Sequence, residues 1–175
     1  MKKNVFLHFS LKNKFFYRIY LYYNLYIRNL KYLFKKSYSQ VDEDIFLKKY
    51  FTKKKGSYID IGCYHPFRNN NTYLLYKQGW SGLNIDLNKI SIDLFNILRP
   101  RDINICAAIS YKKREIKYYV PNNDPVSPEI TISKNFAKKM SSRHKSLYKS
   151  FNTRSITWKD LEKKYRKIIK KIDLL

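Results

Sequence analysis

An α/β fold with a mostly parallel sheet is what this sequence predicts, on three observations. The first is a pair of short apolar runs one β-α-β unit apart, SYIDI at 57–61 and GLNIDL at 82–87. Each carries an acidic residue, Asp60 or Asp86, at or near its end. The second is a helical pattern between these runs and another after them, so that strands and helices alternate. The third is a further run, DINICAAI at 102–109, apolar almost throughout, as suits a strand covered on both faces. A β-α-β-α-β order with short connections implies right-handed crossovers and a Rossmann-like, doubly wound sheet.

The elements follow in chain order. Residues 1–36 hold nine Lys and Arg and no Asp or Glu. Phe15, Ile19, Tyr22, Tyr26, Leu30 and Leu33 recur there at helical spacing. The expectation is a basic, amphipathic helical extension whose stripe packs on the domain or lies on an anionic membrane surface. The domain proper spans 37–175. Its opening, 37–44, breaks the basic run with acids and capping residues, and 45–51 reads as a helix stopped at Lys53-Lys54-Lys55-Gly56. A second helix is predicted over 70–78 with Gly79 as its stop, and a third over 91–98, capped by Ser91 and ended by Arg99-Pro100. Residues 115–120 read as an added strand and 121–128, with three prolines, as a loop. The Ser/Lys-rich 133–150 reads as mobile, or ordered only by a ligand. Thr157-Trp158-Lys159-Asp160 has the form of a capping box opening a helix to about residue 167. Ile172-Asp173-Leu174-Leu175 begins a fourth apolar strand, which in a doubly wound sheet lies beside the first. Such an ending leaves an apolar edge, so the expectation is a sheet incomplete in its C-terminal half, cut short or completed by a partner.

Composition pulls elsewhere. A net charge of +24, from 37 Lys and Arg against 13 Asp and Glu, points to nucleic acid or an anionic surface. A simpler source competes, because Lys, Asn, Ile, Tyr and Phe share AT-rich codons while glycine numbers only four. Weighing that bias more heavily disfavours nucleic acid as a partner. Cys63 and Cys106 make no disulfide framework and are expected to be buried free thiols in a reducing compartment. No signal-peptide pattern and no run of 18 apolar residues is present. The expected location is the cytoplasm, with the inner face of the membrane as a second reading through residues 1–36.

The chemistry turns on the first loop. A dinucleotide fingerprint needs glycines at 62, 64 and 67, whereas Tyr64 and Phe67 stand at the second and third, beside Pro66. Close cradling of a pyrophosphate is thereby excluded. S-adenosylmethionine (SAM), a nucleoside cofactor without phosphate, needs less room. Asp86 is placed to accept both ribose hydroxyls, while Asp60 and the backbone around Gly62 would face the methionine end. Cys63, His65, Cys106 and His144 match no standard zinc spacing, so no metal is expected.

Ser39-Gln40 with Glu43-Asp44, residues 56–66, Asn70-Asn71-Thr72-Tyr73, Gly79-Trp80, 82–88 and 103–110 together resemble the FkbM-type SAM-dependent methyltransferases, in the subgroup with a DIGxxHP first loop. The resemblance covers 37–110, and 158–175 is similar to the family's later helix and the start of its fourth strand. In the family that strand runs on into an Asp-x-Glu-Gly motif, which lies beyond Leu175. The resemblance implies methyl transfer from SAM to a hydroxyl of a sugar, glycan or related metabolite, by in-line displacement with a base taking the hydroxyl proton. Asp60, Gly62, Cys63, Tyr64, Asp86 and Leu87 would bind the cofactor. His65 would be the base, with loop bracing as its alternative role. Gln40, Glu43, Asn70 and Asn71 would contact cofactor or substrate, with capping of the following helix as the alternative for the two asparagines and a solvated helix start as that for Gln40 and Glu43. The rival reading is a basic RNA- or membrane-surface-binding protein on a Rossmann scaffold without catalysis.

Overall fold

A computed structural model describes residues 13–52 and 55–175. The first twelve residues of the predicted extension, and Lys53-Lys54 of the predicted helix stop, lie outside them.

The extension is helical from its first described turn. Helix α1 (Lys14–Tyr23) opens at Asn13, whose side chain accepts the backbone N–H groups of Phe15 and Phe16. It continues through a π-helical turn (Asn24–Arg28) into the short α2 (Leu30–Leu33). The predicted stripe is not the buried face. Phe15, Ile19, Tyr22, Tyr26 and Leu30 are exposed and only Leu33 of the stripe packs on the core, whereas Tyr20, Leu21, Asn24, Leu25 and Asn29 are buried. The cause is that the helix is apolar on two sides, and polar anchors choose between them. Leu21 and Leu25 pack on Phe67, Leu94 and Val126, while the Tyr17 hydroxyl donates to Asp93 at 2.5 Å. Helix α3 (Glu43–Tyr50) follows a tight segment in which the Asp44 carboxylate accepts from Tyr38 N and from the Ser37 and Ser39 hydroxyls.

The molecule is α/β, built on a parallel sheet. Strands β1 (Ser57–Ile61), β2 (Ser81–Asp86) and β3 (Ile103–Cys106) pair in that order, all parallel, with Tyr58 opposite Gly82 and Leu83 opposite Ile103. Gly82 is fixed by close approach, because a Cβ there would lie 2.0 Å from the Tyr58 carbonyl oxygen. Helix α4 (Tyr73–Lys77) joins β1 to β2 and starts later than predicted, since Asn70 and Thr72 are held in a buried network. Helix α5 (Lys89–Leu98) joins β2 to β3. Its cap is Asn88, which accepts from Ile90 N at 3.1 Å; the predicted cap, Ser91, is buried inside the helix.

The predicted third strand divides at Ala107. Its second part, β4 (Ala108–Ile109), leaves for another sheet of order β4-β6-β5. There β6 (Tyr148–Ile156) runs parallel to β4 and antiparallel to β5 (Glu115–Pro121). The segment read as mobile is ordered: α6 (Lys134–His144), capped by Ser133, buries Ala137 and Met140 and leads into β6. Its polar composition hides a one-sided apolar contact. Helix α7 (Trp158–Ile169) opens with both arms of the capping box, Asp160 N to Thr157 Oγ1 at 3.2 Å and Thr157 N to Asp160 Oδ2 at 2.9 Å. Residues 173–174 then lie beside β1, where Ile59 N donates to Leu174 O at 2.9 Å in a parallel bridge. No helix among the described residues is long and apolar enough to cross a membrane.

The turn between α5 and β3 supplies two buried charges. Arg99 is fully buried. It donates through Nε and Nη2 to Pro66 O (2.9 and 2.6 Å), through Nη2 to Asn70 Oδ1 (2.5 Å) and through Nη1 to Thr72 Oγ1 (2.8 Å). Asp102, 3.8 Å from the guanidinium, accepts from the Tyr58 hydroxyl (2.6 Å), Gly82 N (3.0 Å) and Asn84 Nδ2 (2.8 Å). Replacing Arg99 by Met strands Pro66 O, Asn70 and two carboxylates in the interior. Urea denaturation should therefore show Arg99→Met destabilised by about 3–5 kcal/mol; a loss under 1 kcal/mol would remove Arg99 from its place as the hub.

The cysteines differ from expectation in one respect. Cys63 is buried, but Cys106 is exposed, because β3 is the last strand on its side of the parallel sheet and Cys106 ends it. An aromatic disulfide reagent should thus titrate one thiol in the native chain and the second only on unfolding, and Cys106→Ser should abolish the native reaction.

Candidate functional site

A cleft of about 380 Å³ opens where β4 departs from the line of β3. The Ala107 N–H still donates to Asp86 O at 2.9 Å, and Ala108 already pairs with β6. The space between the diverging strands lies at the carboxyl ends of β1 and β2, where open parallel sheets bind ligands. Its floor includes Gly62, Tyr64, Asp86 and Leu87. Its far wall comes from 127–132, including Ser127, Ile130 and Thr131, from the end of the three-proline loop onward.

The first loop is shaped by its backbone. Gly62 N and Cys63 N both donate to Ile85 O, at 2.8 and 3.3 Å, which folds the chain over the end of β2. This needs φ of +76° at Gly62, and a Cβ there would meet nothing within 4 Å. Conformation, then, is what calls for glycine, and the space above it is open. Tyr64 also has positive φ, +57°. The strained geometry delivers Tyr64 N to Asp86 Oδ2 at 2.9 Å, while Asn88 N reaches Asp86 Oδ1 at 2.7 Å. Asp86 thus clamps the two loops together. An ionised carboxylate has about four acceptor positions, and these two bonds leave room for two more. Burial pushes the Asp86 pKa up, and the Asn88 and Tyr64 amides pull against it.

Of the residues expected at the site, Gly62, Tyr64, Asp86 and Leu87 come together on the cleft. Cys63 lies beneath, packed on Ile92 and Phe95, with its thiol pKa pushed well up by burial. Asp60, expected to face the cofactor, instead braces the loop. Its Oδ2 accepts from Thr72 Oγ1 at 2.9 Å and Asn70 Nδ2 at 3.2 Å. Burial raises its pKa, and the Arg99 charge opposes that. Asn70 is wholly committed, donating to Asp60 and Cys63 O and accepting from Thr72 and Arg99. Glu43, in the first turn of α3, accepts from Val41 N just before the helix at 2.8 Å. Gln40 and Asn71 are exposed, away from the residues that line the cleft. Glu43 takes its alternative place in a solvated helix start, whereas Asn70 braces the loop and does not cap α4.

His65 is likewise a brace. It is buried, with Nε2 3.1 Å from Asn24 Oδ1 and 3.4 Å from Asn29 Nδ2, and Nδ1 accepts from Phe67 N at 3.4 Å. Burial, then Arg68, Arg99 and Arg28, pull its pKa down to about 3. Both ring nitrogens are engaged and neither reaches the cleft, which corrects the expectation of a base. Asn24, Asn29 and Arg99, all missed by the sequence reading, hold the site loop from beneath. The two asparagines sit in an apolar stretch of helix, and that misplaced polarity is the signal that could have found them. The 127–132 wall was legible only as the end of a proline-rich loop. Among the described residues, no group of three or more His, Cys, Asp and Glu is arranged for a metal ion.

The histidine makes stability depend on pH. Its folded pKa is depressed, so below about 6.5 the unfolded chain binds a proton that the folded chain refuses. Its contribution is complete above about pH 6.5 and is lost as the pH falls. Between pH 7 and 5 the wild type should lose about 2 kcal/mol from this group. Urea denaturation at the two pH values should show that loss shrinking in His65→Gln; an equal loss in both chains would contradict the buried neutral imidazole.

Comparison with family models, with curated proteins and with solved structures found no match to this chain.

Proposed function

We propose that the chain carries a Rossmann-like, doubly wound SAM site and transfers a methyl group to a hydroxyl of a sugar or related metabolite. The observation that supports this reading is Asp86 at the carboxyl end of β2, beside the open backbone of Gly62, with two acceptor positions left on its carboxylate. The donor set fits a nucleoside. A carboxylate suits a ribose diol, and Leu87, Ala107 and Ile109 offer apolar wall to a base. The bulk of Tyr64 and the bracing of the loop fit a ligand without a pyrophosphate. When bound, SAM supplies an electrophilic methyl group on a sulfonium.

The chain's own residues would act by orientation. Asp86 takes the two ribose hydroxyls, which favours its ionised form and draws its raised pKa back down. Affinity therefore weakens as the pH falls through the raised Asp86 pKa. The Ser127 and Thr131 hydroxyl oxygens each accept a backbone N–H, from Glu129 and Ser133 at 3.1 Å, which leaves their O–H groups to donate to the acceptor. With His65 held away, the acceptor's proton leaves to water in the open cleft, and the rate comes from alignment of oxygen with the sulfonium methyl.

Isothermal titration tests the reading. SAM and S-adenosylhomocysteine should both bind, and Asp86→Ala should weaken them about tenfold to a hundredfold, as for hydrogen bonds to a charged group. Absence of heat with either ligand, or an unaltered Asp86→Ala isotherm, would sink the proposal.

A further inference from the structure

Of the two places the sequence allowed for the stripe, packed on the domain or facing outward, most of it takes the second. Phe15, Ile19, Tyr22, Tyr23, Tyr26, Ile27 and Leu30 line one side of α1, the π turn and α2, with Ile27 and Phe15 each 67% exposed. Phe34, 80% exposed, extends the same side one turn further. The helical run from 14 to 33 is about 30 Å long. Its opposite face is already satisfied by the domain through Leu21, Leu25, Asn24 and Asn29. Among the described residues, nothing covers the outer face.

Charge identifies what would cover it. Lys14, Arg18, Lys31, Lys35 and Lys36 accompany the stripe, and the first acidic residue of the chain is Asp42. A second copy carrying +24 would be repelled from such a surface. Tyr22, Tyr23 and Tyr26 alternate with Phe and Ile, so apolar rings end in hydroxyls, the pairing that sits at the headgroup level of a bilayer. Long Lys and Arg side chains beside it reach toward lipid phosphates.

We propose that the outer face of residues 15–34 docks the chain on an anionic lipid bilayer, lying in the plane of the interface. Phe15, Ile19, Ile27, Leu30 and Phe34 enter the acyl boundary, the tyrosines stay at the headgroups, and the basic residues hold the anionic lipid. The inference does not depend on the methyl-transfer reading, since none of these residues lines the cleft.

Vesicle flotation of the full chain at physiological ionic strength tests it. Vesicles of phosphatidylcholine with phosphatidylserine should carry the protein up, and vesicles of phosphatidylcholine alone should carry about tenfold less. Ile19→Asp with Ile27→Asp should weaken anionic binding about tenfold or more while leaving the urea midpoint in place, because both side chains are exposed. Should that double variant fold poorly, Ile27→Trp gives an independent readout: its added emission should shift to the blue on anionic vesicles only. Three results would overturn the proposal. One is no flotation with anionic vesicles. Another is a double variant that floats like the wild type, which would leave only diffuse charge of the kind RNA also attracts. The third is an emission from Ile27→Trp that vesicles do not change.

Discussion

Everything at the site hangs on one four-residue turn, Arg99-Pro100-Arg101-Asp102. It closes α5 with Asp102 N on Arg99 O at 3.1 Å and sends its two charged ends in opposite directions. Arg99 reaches under the first loop and fixes Pro66, Asn70 and Thr72; Asp102 reaches into the sheet and joins β1 to β2 through Tyr58, Gly82 and Asn84. Burying a guanidinium is costly, and the cost is offset only because its donors find a carbonyl, an amide and a hydroxyl while Asp102 and Asp60 supply the opposite charge. A hydrophobic residue in its place would leave the interior without donors for those acceptors. The loop after β1 owes its shape to this set of directed bonds more than to apolar packing.

From that anchor the site assembles in layers. Arg99 and Asp60 hold Asn70 and Thr72 below; His65, gripped by Asn24 and Asn29, holds the next residues from the side of α1. Only then does the backbone of Gly62 and Tyr64, both at positive φ, swing its N–H groups toward Ile85 O and Asp86. The loop's strain is tolerated because the groups around it over-determine it. This division explains why so few of the expected contacts reach the cleft. In a loop this tightly bonded, most polar side chains are consumed in making it rigid, and the cleft is left with backbone, Asp86 and the opposite wall.

The sheet and its central carboxylate were legible because a buried parallel strand writes itself as a continuous apolar run with its polar residue at the end. SYIDI and GLNID appear as strands within a residue of where that pattern ends, and the third run starts as expected at INIC. The Thr157 capping box was equally plain, since its two bonds join residues three apart. What escaped was decided by non-local contacts. The break at Ala107 depends on β6, more than forty residues on, and no feature of Ile105-Cys106-Ala107-Ala108 announces it. Helix α6 has an apolar side made mainly of Ala137 and Met140, too thin to stand out among lysines and serines. Asp60 and Asp86 look alike in sequence, each closing a strand, yet one is spent on Asn70 and Thr72 and the other faces the cleft. The partners that separate them come from elsewhere in the chain.

The face chosen by α1 shows the same principle most sharply, because hydrophobicity alone favours the wrong side. Counting apolar residues at helical spacing selects Phe15, Ile19, Tyr22, Tyr26 and Leu30, all of which stay outside. The inner side wins by polar fit: Tyr17 on Asp93, Asn24 and Asn29 on His65, and Arg28 on Asp124 through two bonds of 3.0 and 2.8 Å. The π turn is what allows this. Its extra residue advances the helix by less than a full step of rotation, so Asn24 and Asn29, five apart, point inward together, and Asn29 Nδ2 can close on Asn24 O at 2.8 Å. A regular α-helix would carry Asn29 roughly a quarter-turn away from the histidine it grips. The irregular turn therefore does two things at once: it completes the brace beneath the cleft, and it leaves an unbroken aromatic surface on the other side. A helix that served only to fill a core would have no reason to keep that surface, and a helix that served only as an anchor would not need its polar inner face.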